Sequence, residues 1–271
     1  MTENNSNKIK IMFLGDIAGR PGRYAVRDYI AGLGDDKPDL IIANVDNASH
    51  GFGLTRKNYN DLLEYGIDCF TSGNHIWDKR EIFEYISEAD KLIRPINYPK
   101  GTHGKGYRII STPKSKVGII NVLGRTFMNG VDSYFELIDN AIEEIKKETN
   151  VIFMDIHAEA TAEKISVARY YADKGVSCTV GTHTHVQTAD EKIIDGKSAY
   201  ISDAGFCGAS NSVIGMDYEI SIRRLLTAMP ERLDVANSEL LQINGIVCVI
   251  NCDNGYAESI KRINEELLMK G

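Results

Sequence analysis

Short apolar runs alternate with stretches of helical periodicity over the first 180 residues of the chain. The apolar runs predict buried strands at 9–14, 40–43, 69–72, 117–122, 151–155 and 176–180. The patterns between them predict helices at 24–33, 55–65, 79–87, 133–147 and 162–173. Strands that alternate with helices usually pair in parallel, so this part of the chain indicates an α/β fold.

The pattern changes to hairpins in the last third of the chain. Strands are predicted at 192–194 and 198–201 around Asp195-Gly196, and at 246–251 and 256–263 around Asn254-Gly255. A further strand is expected at 107–111 and a helix at 218–228. Parallel units followed by antiparallel strands predict two mixed sheets packed face to face and flanked by helices. We expect one domain over 9–264, with short tails at 1–8 and 265–271.

Polar residues follow the apolar runs at the points where the predicted strands end. They stand in the segments Gly15-Asp16, Asp46-Asn47, Gly73-Asn74-His75, Asp155-Ile156-His157 and Gly181-Thr182-His183-Thr184-His185. Open α/β sheets place their sites at the carboxyl ends of strands, so we expect these groups to lie together. His183 and His185 converge only if the chain turns between them, and we expect Gly181 to supply that freedom.

Composition narrows the function classes. The 271 residues are 43% hydrophobic and carry a formal net charge of −7, which disfavours a protein that tracks long polyanions by its own field. The five cysteines form no C-x-x-C pair, which predicts buried free thiols in a reducing cytosol. No apolar stretch approaches the length of about 18 residues that a membrane helix requires. We therefore expect a cytoplasmic protein with no membrane partner.

The candidate ligands are carboxylates, amides and imidazoles without a thiolate. They are Asp16, Asp46, Asn47, Asn74, His157, His183 and His185. Such a set suits iron, manganese or a catalytic zinc ion, whereas structural zinc usually takes cysteine. Seven candidates exceed the needs of one ion, and they could hold two ions about 3.5–4 Å apart, an arrangement that clamps a phosphoryl group.

In their order along the chain, these motifs resemble the metal motifs of the calcineurin-like metallophosphoesterases. The likeness is greater to the bacterial 2′,3′-cyclic-nucleotide 2′-phosphodiesterases, to which His-Ala-Glu-Ala-Thr at 157–161 and Ser-Val-Ile-Gly-Met at 212–216 are similar. The resemblance covers residues 9–264 and implies a four-layer α/β/β/α sandwich. Nucleotide-cofactor binding is disfavoured because the glycine-rich segment 15–22 lacks the Gly-Lys-Ser/Thr ending.

The resemblance also implies a role for each ligand. Asp16 and His185 would hold one ion with Asn47 nearby, and Asp46 would bridge to a second ion. Asn74, His157 and His183 would hold that second ion. The chain departs from the pattern twice, with Ala18 where many relatives have histidine and with Asp46 where this branch usually has glutamate.

The implied reaction is in-line attack on phosphorus by a metal-bridging hydroxide, with His75 as general acid for the departing ribose oxygen. A 2′,3′-cyclic nucleotide would then give a 3′-nucleotide. The alternatives left open are a phosphomonoesterase or nuclease on the same metals, and a weakly active regulator that binds a nucleotide or RNA. RNA ends are a further candidate substrate.

For some residues near the motifs, the sequence leaves both a functional and a purely structural role open. Arg20, Arg23 and Arg125 are candidates for a phosphate contact but are typical surface or helix-start residues. Glu159 is a candidate partner for a metal-binding histidine. The apolar loop residues Phe52, Leu54 and Phe206 are candidates for a homo-oligomer contact, although scattered exposed hydrophobic side chains are normal.

Overall fold

The first strand, β1 (Lys8–Leu14), separates two cores of the protein. Ile9, Ile11 and Phe13 face a core between two β-sheets, whereas Met12 and Leu14 face a core beneath helices. Side chains alternate along a strand, so both faces of β1 are covered, as in a layered α/β fold. The structure is a computed structural model and describes residues 7–128 and 130–270.

The first sheet surrounds β1. Its other strands are β2 (Asp16–Ile17), β3 (Leu40–Asn44), β4 (Cys69–Thr71), β11 (Phe206–Ala209), β12 (Leu240–Asn251) and β13 (Ala257–Leu268). The strand order is β2-β11-β12-β1-β3-β4, and β13 also pairs with β12. Strands β1, β3 and β4 run parallel, whereas β12 is antiparallel to β1 and to β13.

The second sheet has six strands. They are β5 (Tyr107–Ser111), β6 (Lys116–Leu123), β7 (Ile152–His157), β8 (Cys178–Thr182), β9 (Lys192–Ile194) and β10 (Ser198–Ile201). The order is β5-β6-β7-β8-β10-β9, with β6, β7, β8 and β10 parallel. Antiparallel β9 and β10 turn at Asp195 and Gly196, whose φ angles of 48° and 70° are those of the predicted tight hairpin.

The two sheets pack face to face with helices outside them. Phe13 of one sheet stacks on Phe153 of the other with ring centroids 5.4 Å apart. The helices are α1 (Gly19–Gly32), α2 (Arg56–Glu64), α3 (Ile82–Tyr85), α4 (Phe135–Lys146), α5 (Thr161–Ala172) and α6 (Tyr218–Thr227). Residues of α1 and α2 cover the first sheet, and those of α4 and α5 cover the second. The predicted two-sheet sandwich flanked by helices is thus confirmed.

Several elements differ in length from the sequence prediction. Helix α1 begins at Gly19 rather than at residue 24, because Pro21 lies in its first turn, where a helix tolerates proline. Helix α3 has a single turn instead of the predicted 79–87. The residues before it form tighter turns, in which a backbone N–H bonds to the carbonyl three residues earlier, as Ile82 does to Lys79. Strand β12 begins six residues before the predicted 246.

The first and last strands extend into the segments that were expected to be tails. β13 extends to Leu268, past the predicted domain end at 264, and stays paired with β12 to that point. At the other end, Lys8 already belongs to β1, and residues 1–6 of the expected tail lie outside the described residues. Among the described residues, no helix combines the length and apolar content needed to cross a membrane.

Candidate metal centre

The seven candidate ligands lie on loops or strand ends at one edge of the two sheets. Asp16 follows β1, Asp46 and Asn47 follow β3, and Asn74 follows β4. The histidines come from the second sheet, where His157 ends β7 and His183 and His185 follow β8. The parallel strands of both sheets therefore bring all seven side chains to a single place.

Four of these side chains meet around one nitrogen of His157. Its Nε2 lies 3.2 Å from Asn74 Oδ1, 3.2 Å from His183 Nδ1 and 3.4 Å from Asp46 Oδ2. Two ligands of one ion, each about 2.1 Å from it, lie about 3.0–3.4 Å apart at octahedral or tetrahedral angles. The spacing is therefore that of donors that share an ion.

The other three side chains form a second group. His185 Nε2 lies 3.3 Å from Asn47 Oδ1 and 3.7 Å from Asp16 Oδ1. The Asn47 amide nitrogen donates to the Gly51 carbonyl, which turns Asn47 Oδ1 toward His185. In the described part of the chain, no three histidine, cysteine or carboxylate side chains are grouped as ligands of one ion. The amide oxygens of Asn74 and Asn47 add one further oxygen donor to each group.

Two histidines of the cluster use their other ring nitrogen in a hydrogen bond to the protein, and the third places that nitrogen beside a carboxylate. His157 Nδ1 lies 2.9 Å from Thr182 Oγ1, and His185 Nδ1 lies 2.8 Å from the Ile214 carbonyl. His183 Nε2 lies 3.2 Å from Glu159 Oε2. Acceptors of this kind fix the ring and leave the inner nitrogen with its lone pair, the usual arrangement around metal-binding histidines.

The carboxylates are buried beside these rings. Asp16 Oδ1 has no hydrogen-bond partner among the described residues, although it is shielded from solvent. Burial raises the pKa of Asp16, whereas for Asp46 the positive charge of His157 and the N–H of His75 outweigh burial and lower the pKa. An unpartnered buried carboxylate oxygen is costly, so Asp16 fits a bound cation.

The carboxylates and the neighbouring rings also shift the pKa values of the histidines. Burial alone would lower the pKa of His157, but Asp46 and Asp16 overcome it and raise the pKa to about 9. Burial and the charge of His157 lower the pKa of His183 to about 3. A metal ion bound at His157 would compete with the proton that these carboxylates favour.

The turn between His183 and His185 is made by the histidines themselves. Their φ angles are 102° and 62°, a left-handed region that non-glycine residues rarely adopt outside functional sites. The expectation that Gly181 supplies this freedom is wrong, because Gly181 lies inside β8. A Cβ there would lie 1.9 Å from the Ser202 carbonyl oxygen, so Gly181 serves the close approach of two backbones.

A buried ion pair holds this turn, and the sequence analysis missed it. Lys164 Nζ lies 2.8 Å from Asp203 Oδ2, and both side chains are almost fully buried. The same oxygen accepts from the backbone and hydroxyl of Thr184, which lies between the two histidines. Asp203 follows β10 at the same edge of the sheet, a signal that could have identified it.

His75 lies beside the cluster. Its backbone N–H donates to both oxygens of Asp46 at 3.0 Å, and Gly73 N–H donates to Asp46 Oδ1 at 2.7 Å. The His75 ring pairs through Nδ1 with Asp78 Oδ2 at 2.8 Å, and its side chain is 30% exposed. His75 therefore combines an oriented ring with access to solvent.

The remaining residues singled out in the sequence have different surroundings. Ala18 is fully buried, and it packs so closely on the loop at Gly215 that a histidine there has no room. The Arg23 guanidinium donates to the Ala48 carbonyl. Leu54 and Phe206 are buried and are not available for the oligomer contact for which they were candidates, whereas half-buried Phe52 packs on the His75 ring.

A sandwich of two mixed sheets with carboxylate, amide and imidazole donors gathered at its strand ends is the architecture of a metallophosphoesterase. Within that class, the chain belongs to the YmdB-like protein family, whose model matches residues 12–263. It is 43% identical over 256 residues to the 2′,3′-cyclic-nucleotide 2′-phosphodiesterase of Bacillus subtilis (strain 168), covering 94% of this chain and 96% of that protein. The resemblance predicted from the motifs is confirmed.

Solved structures agree with the assignment. A hypothetical protein from Thermus thermophilus superposes with a TM-score of 0.88 at 33% identity, covering 95% of this chain and 99% of that one. A phosphatase from Mycoplasma pneumoniae gives 0.88 at 32% identity over 96% and 94% of the two chains. The NAD nucleotidase of Haemophilus influenzae shares the fold alone, with a TM-score of 0.59 at 14% identity, covering 97% of this chain and 56% of that one.

Proposed function

We propose that this chain is a metal-dependent phosphodiesterase that opens 2′,3′-cyclic nucleotides by loss of the 2′ oxygen, which gives 3′-nucleotides. The observation that carries the proposal is the orientation of three imidazoles. Each is held through its outer nitrogen and directs its inner nitrogen into a space shared with buried carboxylate and amide oxygens. The activity named for the Bacillus subtilis relative supports the same reaction class.

The donor groups divide between two ions. Asp16, Asn47 and His185 would hold one, Asn74, His157 and His183 the other, with Asp46 between them. The donor set favours iron or manganese, with zinc as an alternative. Bound ions would act as Lewis acids toward the phosphoryl oxygens and lower the pKa of water. The protein fits this role because buried Asp16 Oδ1 lacks a hydrogen-bond partner among the described residues.

His75 is the proposed general acid. Asp78 Oδ2 lies 2.8 Å from its Nδ1 and would orient the ring, so that Nε2–H could protonate the departing ribose oxygen. The backbone N–H of His75 is bound to Asp46, so the ring is anchored to the proposed bridging ligand. The proton donor and the metal centre therefore keep a fixed relation.

The first test combines the metal content of protein purified without chelator with hydrolysis of a 2′,3′-cyclic nucleotide. We expect about two transition-metal ions per chain in the wild type and in His75→Ala. The activity of His75→Ala should fall about 10²- to 10⁴-fold, as expected for loss of a general acid. His103→Ala, which removes an exposed histidine in another loop, is the matched control and should keep full activity.

The product and a substrate panel separate the alternatives. Release of a 3′-nucleotide supports loss of the 2′ oxygen, and release of a 2′-nucleotide contradicts it. Faster hydrolysis of a monoester or of RNA would favour a phosphomonoesterase or nuclease on the same ions. Two bound metals without turnover would indicate a nucleotide-binding or RNA-binding regulator, and Asp46→Glu would then test whether the shorter side chain limits the rate. Protein without metal would contradict the whole proposal.

A further inference from the structure

The ring of Phe52 packs on the ring of His75, the proposed general acid. The two ring centroids lie 4.9 Å apart and the ring planes cross at 65°, which is an edge-to-face contact. Phe52 is half-buried, whereas the His75 side chain remains 30% exposed. Because aromatic pairs favour a narrow range of arrangements, such a contact restricts the orientation of the more exposed ring.

The loop that carries Phe52 is closed by backbone hydrogen bonds. Ser49 N–H donates to the Gly53 carbonyl at 2.9 Å, and Gly53 N–H donates to the Asp46 carbonyl at 2.6 Å. Gly51 and Gly53, on either side of Phe52, have left-handed φ angles of 87° and 71°, which glycine adopts without strain. The loop therefore fixes Phe52 relative to Asp46, the proposed bridging ligand.

The same loop contacts both helix α2 and the backbone of His75. Ser49 Oγ accepts from the Thr55 N–H at 2.9 Å and from the Asn58 amide at 2.6 Å. A Cβ on Gly53 would lie 2.9 Å from the His75 carbonyl oxygen, so the two segments approach each other closely. The loop is thus held between α2 and the segment that carries His75.

We propose that Phe52 is a positioning residue for His75, a role that rests on the proposed phosphodiesterase function. Without Phe52, two contacts hold His75: its backbone N–H donates to Asp46, and its Nδ1 lies 2.8 Å from Asp78 Oδ2. The Asp78 side chain is 45% exposed, and pairs this open to solvent hold a side chain only weakly. Packing against Phe52 supplies the third contact and prevents the ring from swinging about the bond to Asp78.

Loss of this contact should lower kcat on a 2′,3′-cyclic nucleotide and leave KM nearly unchanged. A small misplacement of a catalytic group costs about 10- to 100-fold in rate, and we expect Phe52→Ala to fall in this range. The ribose oxygen is a strongly basic leaving group that needs a proton, whereas p-nitrophenolate departs without one. Hydrolysis of bis-p-nitrophenyl phosphate should therefore fall far less, so the ratio of the two rates changes.

Further variants separate the ring contact from a general loss of structure. Phe52→Tyr keeps the ring and should retain the wild-type ratio of the two rates. Phe135→Ala removes a phenylalanine that is 42% exposed on α4, and it is the matched control. Phe52→Ala should not change the ratio further in a His75→Ala background, because the group that Phe52 positions is absent. Equal losses on both substrates, a rise of KM alone, or independent losses in the double variant would overturn the proposal.

Motion of the His75 ring gives a readout that needs neither metal nor substrate. Carbon-13 relaxation of labelled histidine rings in the metal-free protein should show an ordered His75 ring in the wild type and in Phe52→Tyr. The ring should become mobile in Phe52→Ala, and its signal is assigned by its loss in His75→Ala. An ordered ring in Phe52→Ala would overturn this inference alone. A ratio of rates that His75→Ala leaves unchanged would instead overturn the general-acid assignment, and this inference with it.

Discussion

The orientation of His157 depends on a buried hydroxyl group. Thr182 Oγ1 accepts from His157 Nδ1 and donates to Asp155 Oδ1 at 2.7 Å. Burial raises the pKa of Asp155 to about 6, although donors from Thr71 and Asn44 oppose the rise. The threonine therefore connects a buried carboxyl group to the imidazole and keeps its Nε2 free for a metal ion.

Replacing Thr182 by valine removes this link with little change in shape. We expect the affinity for one of the two proposed metal ions to fall about 10- to 100-fold, because His157 loses its orienting acceptor. The free energy of unfolding should fall by about 1–3 kcal/mol, since buried partners lose a hydrogen bond. Metal titration of the apoprotein and urea denaturation measure the two effects.

Thr182→Ser is the matched control because it keeps the hydroxyl group and loses one methyl group. It should bind metal nearly as the wild type does. If the valine variant binds both ions as tightly as the serine variant, the hydroxyl does not orient His157.

At the residue scale, the sequence could predict which groups meet but not how they are held. The candidate ligands follow apolar runs, and strand ends of parallel sheets lie together, so their convergence was predictable. Lys164 was missed because a lysine in a helical pattern is usually exposed. Its burial depends on Asp203, which lies 39 positions away. A pair so far apart in the sequence cannot be predicted from a local pattern.

At the scale of elements, the turn from β8 is held by the end of β10 and by α5. Asp203 follows β10, Lys164 lies on α5, and Thr184 lies in the turn. The left-handed φ angles of His183 and His185 cost conformational energy that this ion pair and its hydrogen bonds offset. The three elements therefore act as one support for two proposed ligands.

Lys164→Met tests this support. It should lower the free energy of unfolding by about 3–5 kcal/mol, because a buried carboxylate loses its charged partner. Lys116→Met removes a solvent-exposed pair with Glu148 and should cost less than about 1 kcal/mol. Chemical denaturation of both variants gives the comparison, and equal effects would show that the buried pair does not hold the turn.

The boundaries of elements were harder to predict than their order. The alternation of strands and helices and both hairpins were predictable from local periodicity and from Asp195-Gly196 and Asn254-Gly255. The start of α1 was not, since Gly-Arg-Pro-Gly at 19–22 reads as a loop until packing against the sheet is known. Helix α6 was predicted well because its pattern is local, but its lack of burial depends on what surrounds it.

At the scale of the molecule, the two cores contain the cysteines predicted to be buried. All five lie in the described part of the chain as free thiols, and four of them are buried. Cys69, Cys178 and Cys248 lie between the two sheets, and Cys207 lies beneath the helices. Burial raises the pKa of Cys69 and Cys207 to about 12. Because the thiolate is the reactive form, burial should suppress their chemistry at neutral pH.

Alkylation of the native protein should therefore label Cys252 first. This thiol is only half-buried, and burial raises its pKa as well, so its reaction should be slow but well ahead of the other four. Intact mass and peptide mapping during iodoacetamide treatment should show one adduct in the native protein and five in urea. Early labelling of Cys178 or Cys248 would instead reveal local opening between the sheets. The proposed metal ligands lie at the edge of those same sheets, so such opening would also disconnect the two halves of the proposed metal centre.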